Sequence, residues 1–195
     1  MLGELAARPD VLALSLHVDY WDYIGWKDPF AQRFFSERQR AYATALSLRY
    51  VYTPQMVIDG RLQAVGSERD AVERLIARAR DEARTAPAIR LSADDSMVEV
   101  SAPSPDAVPA RPASVWLASF DRVHTTAVLR GENSGRTMAN YNVVRELRRL
   151  GMFAGEPVRL PLGARSGTRG ETAAILIQAG ETGPILAAHP IELKR

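Results

Sequence analysis

His17, Asp19, Tyr20, Trp21 and Asp22 stand together in the stretch "LHVDYWD", at the end of a nearly unbroken apolar run over residues 11–18. In an extended chain His17 and Asp19 project from one face, as a metal-ligand pair or an acid–base pair would. Two ligands do not complete a metal site, and no second His/Asp cluster lies nearby in sequence. A buried, hydrogen-bonded histidine beside a capping aspartate is therefore the favoured reading, and neither a metal nor any other cofactor is expected. The carboxyl ends of strands are where open α/β sheets hold ligands. Trp21, Asp22 and Trp26 there are candidates to line a groove or to cover a seam between two halves of the molecule. Lys27 reads as solvated, and Asp28 before Pro29 as a helix start.

A second chemically suggestive stretch is "RYVYTPQMVIDGR", residues 49–61. Proline cannot donate to a ladder, so Thr53-Pro54 belongs at the start of a strand. Asp59-Gly60 between short apolar runs is a hairpin signal. A third stretch, "RGENSGRT", is polar and Gly-bounded. Its backbone at Asn133 and Ser134, with Arg130 and Arg136, would suit an anion, or it is simply a polar loop between strands. It lacks P-loop spacing. Asn140, Asn142 and Arg145 are assigned to the same surface. His124 and His189 stand apart without an evident partner. No Gly-x-Ser-x-Gly elbow occurs, and the chain has no cysteine. Disulfides, thiolate metal sites and cysteine nucleophiles are thereby excluded within it.

These residues need elements to hold them. Leu2, Leu5 and Ala6 fit the last turns of a helix, with Pro9 beyond. Residues 11–18 read as a strand buried on both faces. Phe30, Phe34, Tyr42, Ala45 and Leu46 mark one face of a helix. The Thr-Pro hairpin follows. Next comes an amphipathic helix through Val72, Leu75, Ile76, Ala79 and Ala83, with Ser67 and Asp70 at capping-box-like spacing. From about residue 86 prolines multiply, and short β-prone runs recur at 89–93, 97–101, 114–120, 157–162, 172–179 and 185–193, the pattern of an antiparallel sandwich. Residues 142–150 fit a helix or a strand, with strand preferred.

The 195 residues are 46% hydrophobic and 25% charged, with a net charge of +2. That is ordinary for a globular protein able to bury a core without staples. There is no basic stripe interleaved with aromatics, which argues against nucleic acid. No apolar run is long enough to span a membrane as a helix.

The segments "LHVDYWDYIGWKDPFA", "YTPQMVIDG", "RGENSGRT" and "NVVRELRRLG" resemble the domain-of-unknown-function family 1223 (DUF1223) over nearly the whole chain. The resemblance implies an α/β thioredoxin-like domain over residues 1–85, followed by a β-sandwich-like domain over 86–195. It implies a redox-linked, exported protein, a cis Thr53–Pro54 bond, and a Cys-x-x-Cys-Pro stretch with a first strand lying ahead of residue 1. On that expectation this chain is a truncated form, its thioredoxin-like sheet incomplete and its thiol chemistry absent. Without an export signal it would stay in the cytoplasm. Two unpaired backbone edges would flank the position of the first strand, and strand exchange between two copies would be a route to a homodimer. The alternative is a non-catalytic module. In that case Trp21, Asp22, Trp26, Thr53, Pro54, Arg130, Asn133, Arg136, Asn142 and Arg145 recognise an unidentified protein or small molecule.

Overall fold

The computed structural model describes residues 1–24, 27–82, 85–127, 137–163 and 172–192. Of the expected site residues, Trp26, Arg130, Asn133 and Arg136 lie outside them. In chain order the elements are α1 (Leu2–Ala6), α2 (Arg33–Ala45), β1 (Gln55–Ile58), β2 (Leu62–Val65), α3 (Arg69–Asp81), β3 (Ala88–Leu91), β4 (Met97–Ser101), β5 (Ala113–Ala127), β6 (Thr137–Phe153), β7 (Val158–Pro161), β8 (Thr172–Ala179) and β9 (Ile185–Glu192).

Strands β3–β9 make two antiparallel sheets, ordered β3-β4-β7 and β6-β5-β8-β9. The larger sheet is covered on both sides, and the burial of β8 shows it: residues 173–178 are all buried. Ala173, Ile175 and Ile177 pack with Val98, Val100 and Phe153 between the two sheets. Ala174 faces the other way, against Phe35 of α2. Both faces of the sheet therefore need apolar residues, and "AAILI" supplies them without alternation. The sandwich expected from the sequence is present, with a helix as a third layer. At the sheet's margin β9 carries Pro190 opposite Ala174. That is tolerable because an edge strand has one side free of ladder bonds.

Helix α2 is held by Phe35, Ser36, Tyr42 and Ala43, its buried residues, which fall at helical spacing. It begins at Arg33, not at Phe30. Asp28 does not start the helix: it forms a local turn, its Oδ1 accepting from the Phe30 amide at 2.8 Å. Helix α3 is capped at Glu68 without a side-chain bond, so the Ser67/Asp70 box expected from spacing is not formed. Asp70 lies in its first turn and Arg78 and Arg80 in its last, each complementing the helix dipole.

The hairpin β1–β2 pairs Gln55 with Val65 through Ile58 with Leu62. Asp59 and Gly60 both have positive φ, 47° and 66°, as a type I′ turn requires. The Thr53–Pro54 bond is cis. On one side Met56, Ala64 and Val72 form a core with Leu5 of α1 and with Val11 and Ala13.

Residues 11–18 are extended but join no sheet with the hairpin. Their one ladder contact is a parallel bridge from Ser15 to Val143 of β6, through Ser15 N to Asn142 O and Val144 N to Ser15 O, both 2.9 Å. Leu12, Leu14 and Leu16 pack with Phe35, Phe120 and Val144, while Val11 and Ala13 pack toward α1 and α3. The run thus packs on two sides, as expected, but it is no regular strand and only Ala13 in it is buried; through it one core is common to both halves of the chain.

Candidate functional site

Two groups of side chains form around the segment that leaves residue 18. In the first, the Trp21 indole N–H donates to Thr53 Oγ1 at 3.0 Å, bringing together two residues separated by the whole of α2. Pro54 follows, its carbonyl accepting from Gly66 N at 2.7 Å. Behind them Tyr20 OH donates to Gln39 Oε1 at 2.8 Å. The Gln39 amide donates in turn to Tyr52 O at 2.7 Å and Gln55 Oε1 at 3.0 Å, and Tyr52 OH is bonded to Gln63. Buried Gln55 Nε2 has no hydrogen-bond partner, a costly state for a buried donor. Burial pushes the phenols of both Tyr20 and Tyr52 up, so they remain neutral donors at physiological pH. Trp21 is exposed here, as is Tyr50, whose ring lies 6.4 Å from that of Tyr52. The result is a surface of aromatic rings and carboxamides, chemistry suited to an uncharged hydrogen-bonding partner.

The second group is ionic. His17 Nδ1 lies 2.5 Å from Asp28 Oδ2, and Asp22 Oδ1 accepts from the Asp28 amide at 3.1 Å. The Phe30 ring is bracketed edge-on by His17 and His124, centroids at 5.5 and 4.6 Å, with the Arg145 guanidinium 4.9 Å from its centroid. Arg145 stands 3.8 Å from Asp121. It is placed by a bulge: β5 pairs Ser119 with Glu146 and Phe120 with Val144, so Arg145 is the extra residue, and a bulge re-aims its side chain. Asn142 has a structural partner inside the molecule. It takes a left-handed φ of 46° and spends its amide on Ala13 O at 2.7 Å, fastening residues 11–18 to β6.

His17 is thus the bonded histidine expected from the sequence. Asp19 caps no helix; its Oδ1 accepts from buried Ser36 Oγ at 2.5 Å. Among the described residues no group of three or more His, Asp or Glu side chains is arranged to hold a metal. Burial pushes the Asp28 carboxyl up, but the His17 hydrogen bond, the Phe30 amide and the His17 charge outweigh it and hold it below the usual carboxylate range. A depressed carboxyl stabilises the fold above its unfolded pKa, near 4, and loses that contribution as pH falls through the lower folded value. Asp28→Asn should therefore flatten the fall in Tm between pH 5 and pH 3 relative to the wild type, as thermal melts across that range would read. An equal slope in both would remove Asp28 from the acid response.

Gln39, Gln55 and Gln63 were not anticipated. A signal for Gln39 existed: it lies four residues after Phe35 and three before Tyr42, on the buried side of α2.

Both groups fall inside a single family match. The model described as "Protein of unknown function (DUF1223)" matches residues 1–178. The chain belongs to the DUF1223 family. The matched region of this DUF1223 chain runs from α1 into β8, ending at the buried Gln178. A crystal structure of protein AGR_C_4864 from Agrobacterium tumefaciens is similar, at 28% identity and a TM-score of 0.78, covering 100% of this chain and 86% of that chain. Among curated proteins no relative matches.

Proposed function

We propose that this DUF1223 protein is a thioredoxin-like, redox-linked protein in which residues 1–195 recognise an extended polypeptide and do not themselves perform thiol chemistry. The observation that carries the reading is the Trp21–Thr53 contact beside Pro54, next to a strand whose outer edge is open. The sequence has no cysteine, and disulfide exchange requires a thiolate. A dithiol would have to come from a segment outside these residues. The thioredoxin-like assignment for residues 1–85 is supported by element order: helix end, extended run, helix, Pro-led hairpin, helix, with α2 on one face and α1 and α3 on the other. Residues 86–195 are the sandwich that backs it.

Exposed Tyr and Trp give rigid contact area at small entropic cost, and an unpaired strand edge offers main-chain hydrogen bonds to a passing chain. A permanently unfolded protein, reduced and carboxymethylated α-lactalbumin, is a suitable probe. Calorimetric titration should detect binding, and Trp21→Ala should weaken it by about tenfold or more, as loss of an interface anchor does. Being on the surface, the same substitution should leave Tm nearly unchanged. No binding by the wild type, or equal binding by the variant, would defeat the reading.

A further inference from the structure

The apolar spacing of α2 predicts a buried Phe34, yet 42% of it is exposed. Its ring lies 6.4 Å from that of Trp116 on β5. Met152 of β6 is 50% exposed on the same side, and a bulge puts it there. β5 pairs Val115 with Gly151 and Trp116 with Arg149, so Leu150 is the extra residue. Residues three apart on a regular strand face opposite sides, but across this bulge Arg149 and Met152 share one. That side is the one α2 covers: Ser114 pairs with both Met152 and Gln178, and Gln178 bonds Tyr42 of α2. Phe34, Trp116 and Met152 thus lie on one face at the seam between helix and sheet, with Trp116, 7% exposed, as its floor.

The charges around these side chains do not balance. The Arg38 guanidinium lies 5.2 Å from the centre of the Tyr42 ring and 5.4 Å from that of Trp116. Its hydrogen bonds go to Glu181 O at 2.9 Å, Tyr42 OH at 3.2 Å and Gln178 Oε1 at 2.5 Å, all uncharged oxygens. Among the described residues no carboxylate pairs with it, although a half-buried charge ordinarily has such a partner. Among the same residues Arg149 pairs only with the Glu181 carboxylate, at 3.8 Å and with both side chains exposed, an ion pair of small worth. Arg33 and Glu37, beside Phe34 on α2, satisfy each other at 2.8 Å. One cation is left over. The Trp116 indole N–H is a further donor without a partner, and a buried donor in that state is uncommon.

We propose that this patch is a docking site for a protein segment in which an aromatic or aliphatic side chain stands beside a carboxylate. The apolar anchor covers Phe34 and Met152, and the carboxylate supplies the acid that Arg38 lacks, with Arg149 beside it. Aromatic rings, methionine and arginine are the residues that interfaces favour, methionine because its flexible thioether adapts to varied shapes. The unpaired guanidinium selects against a basic segment, and against a second copy of the same patch, which would set like charge against like. The site shares no residue with the Trp21–Thr53 face and stands whether or not that face recognises a polypeptide.

A proton–nitrogen NMR titration of the 195-residue chain reads this directly, with the Trp116 indole N–H as the reporter. The probe is the peptide acetyl-Asp-Glu-Phe-Glu-Asp-amide. It should move the Trp116 indole resonance and the amides of Phe34, Arg149 and Met152, and the shifts should saturate. Acetyl-Lys-Lys-Phe-Lys-Lys-amide should leave them in place, and alanine for the phenylalanine of the acidic peptide should weaken binding by about tenfold. Phe34→Ala and Arg149→Glu, both on the surface, should each weaken it by about tenfold or more with Tm nearly unchanged. Trp21→Ala should bind as the wild type does, so failure of the Trp21 face and failure of this patch are separable. The inference is overturned if the acidic peptide gives no saturable shift, if the lysine peptide binds equally, or if Phe34→Ala and Arg149→Glu both bind like the wild type. It is equally overturned if the same resonances move with protein concentration alone while light scattering shows a dimer, which would make a second copy the occupant.

Discussion

Gly60→Ala should destabilise the protein by about 3 kcal/mol, from left-handed strain of roughly 1–2 kcal/mol and a steric overlap of similar size. Gly60 has φ of 66°, and a Cβ there would fall 2.2 Å from Gly183 O. The hairpin turn is seated against the β8–β9 turn, where Ile185 N donates to Asp59 O at 2.8 Å. An added methyl must push apart two backbones, and neither can rotate out of the way as a side chain would. For a chain of this size that predicts a drop in Tm of roughly 6–12 °C. Gly180→Ala isolates the conformational part. Its φ is 64° but nothing lies within 4 Å of its Cβ, so it should cost only about 1–2 kcal/mol. Equal losses in the two variants would show that the turn contact contributes nothing.

Phe35→Ala should cost about 3–5 kcal/mol, the range for removing a buried phenylalanine. The ring is 2% exposed and packs with Phe120, Val144 and Ala174 of the large sheet and with Leu12, Leu14 and Leu16. Because this core belongs to both halves, the loss should appear as one transition moved to lower denaturant with an unchanged slope. Two separated transitions would mean that residues 1–85 and 86–195 unfold independently. Around this core Gln178 ties α2 to β8, bonding Tyr42 OH and Gly183 O at 2.7 Å each and accepting from Arg38 at 2.5 Å. A buried amide with every partner in place fixes the helix in one orientation.

Much of the layering was legible in the sequence because apolar residues in a run, as in 173–177 or 11–18, record coverage from two sides. The β-branched Val143 and Val144 correctly argued for a strand through 142–150, although β6 runs further in both directions. Pairing was less legible. Nothing in "VLALSLHV" says that its partner is β6 and not the hairpin. That contact is made through the left-handed Asn142, whose short amide both permits the conformation and reaches Ala13 O. The Asp59-Gly60 turn is legible as a local reversal, but its seat on Gly183 is a long-range packing fact that no periodicity encodes. Thr53-Pro54 could be placed ahead of a strand from composition. Its indole partner Trp21 needed the intervening helix to be folded first. The amide network of Gln39, Gln55 and Gln63 stayed hidden because glutamine is as ordinary on a solvated surface as in a bonded cluster.

Pro190, on the outermost strand of the large sheet, bears on how copies of this protein meet. A prolyl nitrogen has nothing to offer a neighbour's carbonyl, so the far margin of that sheet is a poor template for lateral growth. Natural sheets use such residues to discourage fibril seeding. Lateral pairing of two copies along β9 is thereby the disfavoured route of association.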